Sequence, residues 1–332
     1  MHILLIMGTY FSVVGDPMGI NLQLLGLQAI PRLALKFDVE LDGFSGFLDL
    51  YGTPPEDFHV AYDKCGEILE WLFGETDISW WDVYSNSDIG MERTALARDI
   101  GLDKEDIVLD VGCGRGYFTI AASTRSRRVI GLDPMNGMSR HGWWRNFKES
   151  IRELQLGSKV LPLKADAQSI PLRDCSMDKA VAVHCIRNFR NRQLIQNALR
   201  EMNRVLSEEG ELIIVENVPI ARNKTQEAHL AMYQCKCNYS SGDIYYFPKE
   251  QLLEMFGSAG LTETRVEFVD YNLSATPPIF YLDSSRLGKG QMEKAQREYA
   301  AAVGMIKKHG ETSPPALIIK AVKHSKQPKN TF

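Results

Sequence analysis

The chain has no basic excess. Its 38 Lys and Arg stand against 42 Asp and Glu, and a net charge of −4 with a pI near 6.0 leaves no field for gripping a phosphate backbone. A general nucleic-acid binder is therefore disfavoured, and the small basic cluster Arg125, Arg127 and Arg128 reads as a solvated loop. Cysteine is sparse too. Six are scattered through the chain without the even spacing of a disulfide framework and with no secretory signal ahead of them, so free thiols in a reducing cytoplasm are expected. A bilayer span needs about 20 uninterrupted apolar residues. Residues 1–31 carry one charged side chain, Asp16, but Gly8, Gly15, Pro17, Gly19 and Gly26 break the run too often for that. The same segment lacks Lys and Arg to hold anionic headgroups, so residues 20–30 read as an apolar helix packed over the rest of the chain. What remains is 332 residues with 44% hydrophobic content, enough for one large or two modest domains.

The most informative stretch is IVLDVGCGRG, residues 107–116. Ile107, Val108, Leu109 and Val111 form an apolar run too short for a helix and suited to a parallel strand covered on both faces. Asp110 interrupts the run. A carboxylate there is costly without donors, and a glycine turn at the strand's end exposes backbone N–H groups that are expected to serve it. The helix beginning at Tyr117 then points its positive end at whatever fills the crevice. The order Gly112, Cys113, Gly114, Arg115, Gly116 is G-x-G-x-G, unlike the G-x-G-x-x-G of a pyrophosphate-binding dinucleotide loop. A second apolar strand, residues 128–132, ends at Asp133, placed to accept from both hydroxyls of a ribose.

These residues resemble the class I S-adenosylmethionine-dependent methyltransferases, with DVGCGRG (110–116) as first motif and GLDP (131–134) as second. KADAQSIPL (164–172), MDKAVAVHCIRNF (177–189) and LREMNRVLSEEGELIIVEN (199–217) follow in that family's order. The resemblance runs from about residue 88 to 323. It implies an α/β, Rossmann-like, doubly wound, seven-stranded, mostly parallel sheet with an antiparallel edge strand, and S-adenosyl-L-methionine as cofactor. It further implies that Asp110, Gly112, Cys113, Gly114 and Gly116 form the cofactor turn. Asp133 would accept from the ribose, Pro134 and Met135 would line the cofactor site beside it, and Asp166 and Ala167 would hold the adenine. Tyr84, in the aromatic stretch 80–88, would fold over the methionine end, and His184 would contact the cofactor.

The domain reading is an N-terminal extension (1–57), a methyltransferase domain (58–323) and a polar tail (324–332) expected to be disordered. Residues 38–57 read as an irregular connection. Residues 58–73 read as an amphipathic helix ended by Gly74, and Asp88 as the cap of a helix over 89–99. Helix and strand then alternate. Residues 226–247 make an unusually long connection whose Tyr233, Tyr239, Tyr245, Tyr246 and Phe247 suggest a lid or wall over the substrate pocket.

Three features bear on the acceptor. No [ND]-P-P-[YF] follows the fourth strand, which argues against amine-methylating DNA enzymes, and Thr276-Pro277-Pro278 is misplaced for it. His184 stands where metal-dependent catechol-type enzymes present a carboxylate, so no metal is expected. Ile186-Arg187-Asn188-Phe189 resembles the L-R-N-[VF] stretch of the ubiquinone/menaquinone-biosynthesis C-methyltransferases, whose fifth strand also ends in a Glu, here Glu216. Catalytic candidates are thus His184, by its unperturbed pKa the default base, Arg187 to stabilise a phenolate or enolate, and Glu216. The acceptor expected is a small aromatic, quinol-like or lipid-derived molecule, with peripheral membrane contact only in the lipid case. A thiolate-dependent arsenite methyltransferase, using Cys185 with Cys235 or Cys237, is the alternative enzyme. A non-catalytic methyltransferase-like subunit is the alternative of another class, and the intact Asp110, Gly112, Gly114 and Asp133 set argues against it.

Overall fold

The computed structural model describes residues 20–54, 57–134, 138–189, 191–239, 246–258, 264–280, 282 and 287–323. Strand β1 (Ile107–Val111) forms where the apolar run predicts it and pairs in parallel with β2 (Arg128–Asp133) and β4 (Met177–Val183). With β3 (Val160–Lys164), β5 (Leu206–Asn217), β6 (Thr264–Val269) and β7 (Ala316–Val322), the sheet order is β3-β2-β1-β4-β5-β7-β6. β7 is antiparallel to both β5 and β6, so the reversed strand lies one place in from the edge. The chain winds outward in opposite directions from β1 and β4, which opens a crevice at their carboxyl ends.

Alternate side chains along each strand feed two cores. On one face Val108, Val129, Val181, Ile213 and Ile318 are fully or almost fully buried against α1 (Ile20–Phe37), α2 (Phe58–Glu75), α3 (Trp80–Asn86), α4 (Asp88–Asp99) and α5 (Tyr117–Ser123). On the other, Leu109, Ile130, Ala180 and Leu212 meet α7 (Arg192–Val205), which buries Ile195, Ala198, Leu199, Met202 and Val205 at helical spacing. The remaining helices are α6 (Met138–Glu153), α8 (Lys224–Tyr239), α9 (Lys249–Ser258) and α10 (Lys289–His309).

Several local expectations change. The apolar N-terminal helix continues through Pro31 to Phe37, and its Leu27, Ala29, Ile30 and Leu33 join the same core as the sheet. Gln28 ties it down by donating to the Ser274 carbonyl (2.8 Å) and accepting from the Ile89 N–H (3.1 Å). The supposedly irregular connection holds a 3-10 turn, Gly46–Leu50, that buries Phe47 and Leu50. Gly74 does not end α2, which runs to Glu75. Asp88 does not cap α4: Ser87 does, accepting from the Gly90 N–H at 3.0 Å, while Asp88 pairs with Arg32 at 2.5 Å. Met135, Tyr245 and residues 1–19 and 324–332 lie outside the described residues. Among the described residues no helix is long and apolar enough to cross a membrane.

The tyrosine-rich connection is not a loose aromatic lid where it is described. Residues 224–239 form α8, which packs along α10 and buries His229, Met232 and Tyr233. Tyr239 donates to Glu298 on α10 (2.8 Å), and Phe247 joins the opposite core. Tyr246 is buried, stacked on Tyr233 at 3.9 Å between ring centres and lying under the Arg187 guanidinium.

Candidate active site

The crevice at the ends of β1 and β4 holds a cavity of about 580 Å³. Its floor is the glycine turn. Gly112 and Cys113 both donate to the Leu132 carbonyl (2.7 and 3.0 Å), which draws the turn against the end of β2. The Gly114 N–H donates to Asp133 Oδ2 at 3.1 Å. Gly112 has φ +72°, and a Cβ there would overlap Cys185 Sγ; Gly116, φ +84°, opens α5 where a Cβ would strike the ring of Phe147. Gly112→Ala is accordingly expected to weaken S-adenosylmethionine binding at least roughly tenfold, since overpacking typically costs about 1–3 kcal/mol and the left-handed backbone adds strain. Calorimetric titration checks this; parent-like affinity would show that the turn tolerates a side chain.

The walls draw on distant segments. Asp133 and Pro134 come from the end of β2, Asp166, Ala167 and Gln168 from the loop after β3, and His184, Cys185 and Arg187 from beyond β4. Asp166 is solvent-exposed and accepts from the Gln168 N–H (2.9 Å) beside buried Ala167. Arg93 from α4 and Thr276 with Pro277 from the segment after β6 complete the wall. Two residues of the triplet that fits no acceptor motif in sequence, Thr276 and Pro277, therefore line the cavity by tertiary placement. Tyr84, Asp110, Gly116 and Glu216 stand behind the lining residues. Tyr84 donates to the Tyr117 carbonyl at 2.7 Å. Asp110 finds its donor in Thr119 Oγ1 at 2.5 Å, on the first turns of α5, and not in the glycine turn. Burial, only partly offset by Thr119 and Arg93, pushes the Asp110 carboxyl up to about 7.

Two buried ion pairs flank the cavity. Arg187 Nε lies 3.5 Å from Glu216 Oε2, its guanidinium sits 5.0 Å over the Tyr246 ring, and Nη1 donates to Asn217 at 3.4 Å. Burial pushes the Glu216 carboxyl up while Arg187 opposes it. The second pair joins neighbours on α4, Glu92 and Arg93, both buried. Burial works against ionised Glu92, but Arg93 and His184 outweigh it and hold the carboxyl below its usual range. Neither residue stands out in sequence as chemistry. The available signal was their position: Ile89, Glu92, Arg93, Leu96 and Ala97 share one buried stripe, where a charged pair needs a reason.

His184 departs furthest from expectation. It follows β4 with φ +51°, a left-handed conformation uncommon for histidine, and Nε2 lies 3.0 Å from Glu92 Oε1. Burial lowers its pKa, as do Arg93 and Arg187, and together they bring it to about 3 against the pull of Glu92. A ring that neutral is poorly matched to taking a proton near neutrality. Among the described residues no group of three His, Cys, Asp or Glu is arranged to hold a metal ion. Burial raises the thiols of Cys235 and Cys237, which weakens the case for a thiolate site.

Comparison with known proteins bears on the family and the fold. The methyltransferase-domain family matches residues 109–214, from β1 into β5. Demethylmenaquinone methyltransferase from Staphylococcus aureus is 27% identical over 199 residues, covering 52% of this chain and 75% of that protein. A cyclopropane-fatty-acyl-phospholipid synthase-like protein from Lactobacillus casei superposes with a TM-score of 0.53 over 73% of this chain and 92% of its own, at 14% identity, a likeness of fold. The glycine turn, too tight for a Cβ at Gly112, and the buried Asp133 carboxylate at the end of β2 are the residues that would hold the cofactor. Strand order and sequence thus converge: the chain carries a class I S-adenosylmethionine-dependent methyltransferase domain, distantly related to the demethylmenaquinone methyltransferases.

Proposed function

We propose that the acceptor is a small aromatic molecule of the quinol type, methylated at an oxygen or carbon made nucleophilic by partial ionisation. The observation that carries this reading is that two buried guanidinium groups, Arg93 and Arg187, share one cavity wall with the glycine turn. S-adenosylmethionine, when bound, supplies an electrophilic methyl group. Gly112, Cys113, Gly114 and Asp133 would hold its nucleoside side, with Asp166 and Ala167 at the base. Arg93 and Arg187, held rigid by Glu92 and Glu216, favour a phenolate or enolate as the hydroxyl proton is lost to solvent, so the acceptor gains electron density without a strong protein base. Val183, Phe189, Leu194 and Pro277 give the cavity apolar surface that excludes water and holds a flat ring. Orientation then does much of the rest, since well-aligned reactants reach effective molarities of roughly 10⁵ to 10⁸ M. The likeness to a demethylmenaquinone methyltransferase supports this choice of acceptor. Membrane contact is required only if the acceptor carries a lipid tail.

The test is transfer of labelled methyl from S-adenosylmethionine to a panel containing 1,4-dihydroxynaphthalene, catechol, an unsaturated phospholipid and arsenite, with products identified by mass. Label in the hydroxyarenes is expected. Label only in the phospholipid or arsenite rejects the reading. Turnover is also expected to survive EDTA, because the donor set offers no metal site among the described residues. Loss restored by magnesium would reinstate a metal. Loss in Cys185→Ser combined with Cys237→Ser would move the assignment to a thiolate-dependent acceptor.

A further inference from the structure

Glu92 and His184 lie 92 residues apart in the chain and meet at 3.0 Å, each buried, one from α4 and one from beyond β4. We propose that Glu92 is a positioning residue that holds His184 in the Nε2–H tautomer, so that Nδ1 accepts a hydrogen bond from a hydroxyl of the acceptor molecule. This rests on the cavity being the acceptor site, and it deepens that reading by requiring the acceptor to be a hydroxyl donor at this point.

An ionised carboxylate only accepts hydrogen bonds. Glu92 is kept ionised by Arg93, so the imidazole proton facing it must be on Nε2. Nδ1 is then a lone-pair acceptor. It is buried and has no hydrogen-bond partner among the described residues, although His184 lines the cavity. The backbone that carries the ring is held in place. The His184 N–H donates to the Val215 carbonyl (2.8 Å), and its own carbonyl accepts from Arg187 Nε and Asn188 Nδ2 (both 3.3 Å). A non-glycine residue kept left-handed by three such bonds is strain retained at a site where orientation matters. Flanking Arg93 and Arg187 also discourage a second proton on the ring. A nitrogen that can only accept, next to two cations that favour oxygen anions, suits a dihydroxyarene that gives one hydroxyl to His184 and develops charge on the other.

The experiment uses the full chain with ¹⁵N-labelled histidine, His184 being assigned by its loss in His184→Asn. The expected result is a fixed Nε2–H tautomer between pH 6 and 8, an Nδ1 resonance unmoved by S-adenosylhomocysteine, and a shift on adding 1,4-dihydroxynaphthalene but not 1,4-dimethoxynaphthalene. Glu92→Gln should give mixed tautomers and weaken binding of the dihydroxy compound at least roughly tenfold, a loss in the range of one charge-supported hydrogen bond, with S-adenosylhomocysteine affinity retained. Glu92→Asp should restore part of it. An Nδ1–H tautomer in the parent, a shift with S-adenosylhomocysteine alone, or unchanged binding in Glu92→Gln overturns the inference. The tautomer needs no acceptor to be measured, so it stands or falls separately from the quinol reading.

Discussion

Asp133→Ala is expected to weaken S-adenosylmethionine binding at least tenfold, the equivalent of about 1.4 kcal/mol or more. Asp133 closes β2, is 5% exposed, lines the cavity and accepts from the Gly114 N–H at 3.1 Å. Its carboxylate braces the glycine turn and, in the proposed cofactor pose, would also present oxygen to a ribose. A hydrogen bond to a charged group contributes roughly 1.5–3 kcal/mol, so losing one suffices for the predicted effect and losing two exceeds it. Asp133→Asn separates the two roles, because the amide oxygen can still accept from Gly114 while the charge is gone, and an intermediate loss is expected. Asp166→Ala should cost less than either, since that carboxylate is exposed and water can replace its partners. Calorimetry with S-adenosylmethionine measures all three. An Asp133→Ala protein that binds as the parent does would mean that the cofactor lies elsewhere in the crevice.

The second large effect is at Arg187. Arg187→Ala should lower turnover by on the order of 10², the range seen when one stabilising donor is removed, with cofactor affinity nearly unchanged. The complication is Glu216, 1% exposed, which the substitution leaves without its cation. Breaking a buried pair from one side typically destabilises by about 3–5 kcal/mol, and lost turnover could reflect lost fold. The double variant Arg187→Ala with Glu216→Gln removes both charges, so thermal unfolding should recover toward the parent while turnover stays low. Recovery of turnover together with stability would assign Arg187 a structural task only, and the quinol reading would lose the observation that carries it.

The two effects differ in how far they could be foreseen. Asp133 is legible because everything that places it is local: an apolar run forms β2, and the residue that ends a parallel strand next to a glycine turn must face the crevice. Arg187 is half legible. Its motif marks it, but its partner Glu216 lies 29 residues on, and only the pairing of β4 with β5 brings them together. Glu92 and Arg93 were missed because a charged pair on a helix is ordinarily a solvated face. Here α4 turns that face inward, beneath the ring of His184. Of the tyrosines after β5, Tyr233 and Tyr239 lie on α8 and are fixed by its packing along α10, a placement that aromatic density in the sequence does not distinguish from a lid or wall.

The sheet order and the chemistry of methyl transfer came from the resemblance to the class I methyltransferases, whereas the residues by themselves determined the strand, glycine turn and helix start at 107–117 and the alternation of helix and strand. These follow from side-chain period, φ freedom and strand-end geometry, which act over a few residues. Tertiary structure alone decided the protonation state of His184. Its unperturbed pKa near 6.5 made it the default base. Burial between Arg93 and Arg187 brings it to about 3, and Glu92 chooses which nitrogen keeps the proton. Desolvation and charge act through space, and no spacing along the chain encodes what α4 and the end of β4 do to each other once the core closes.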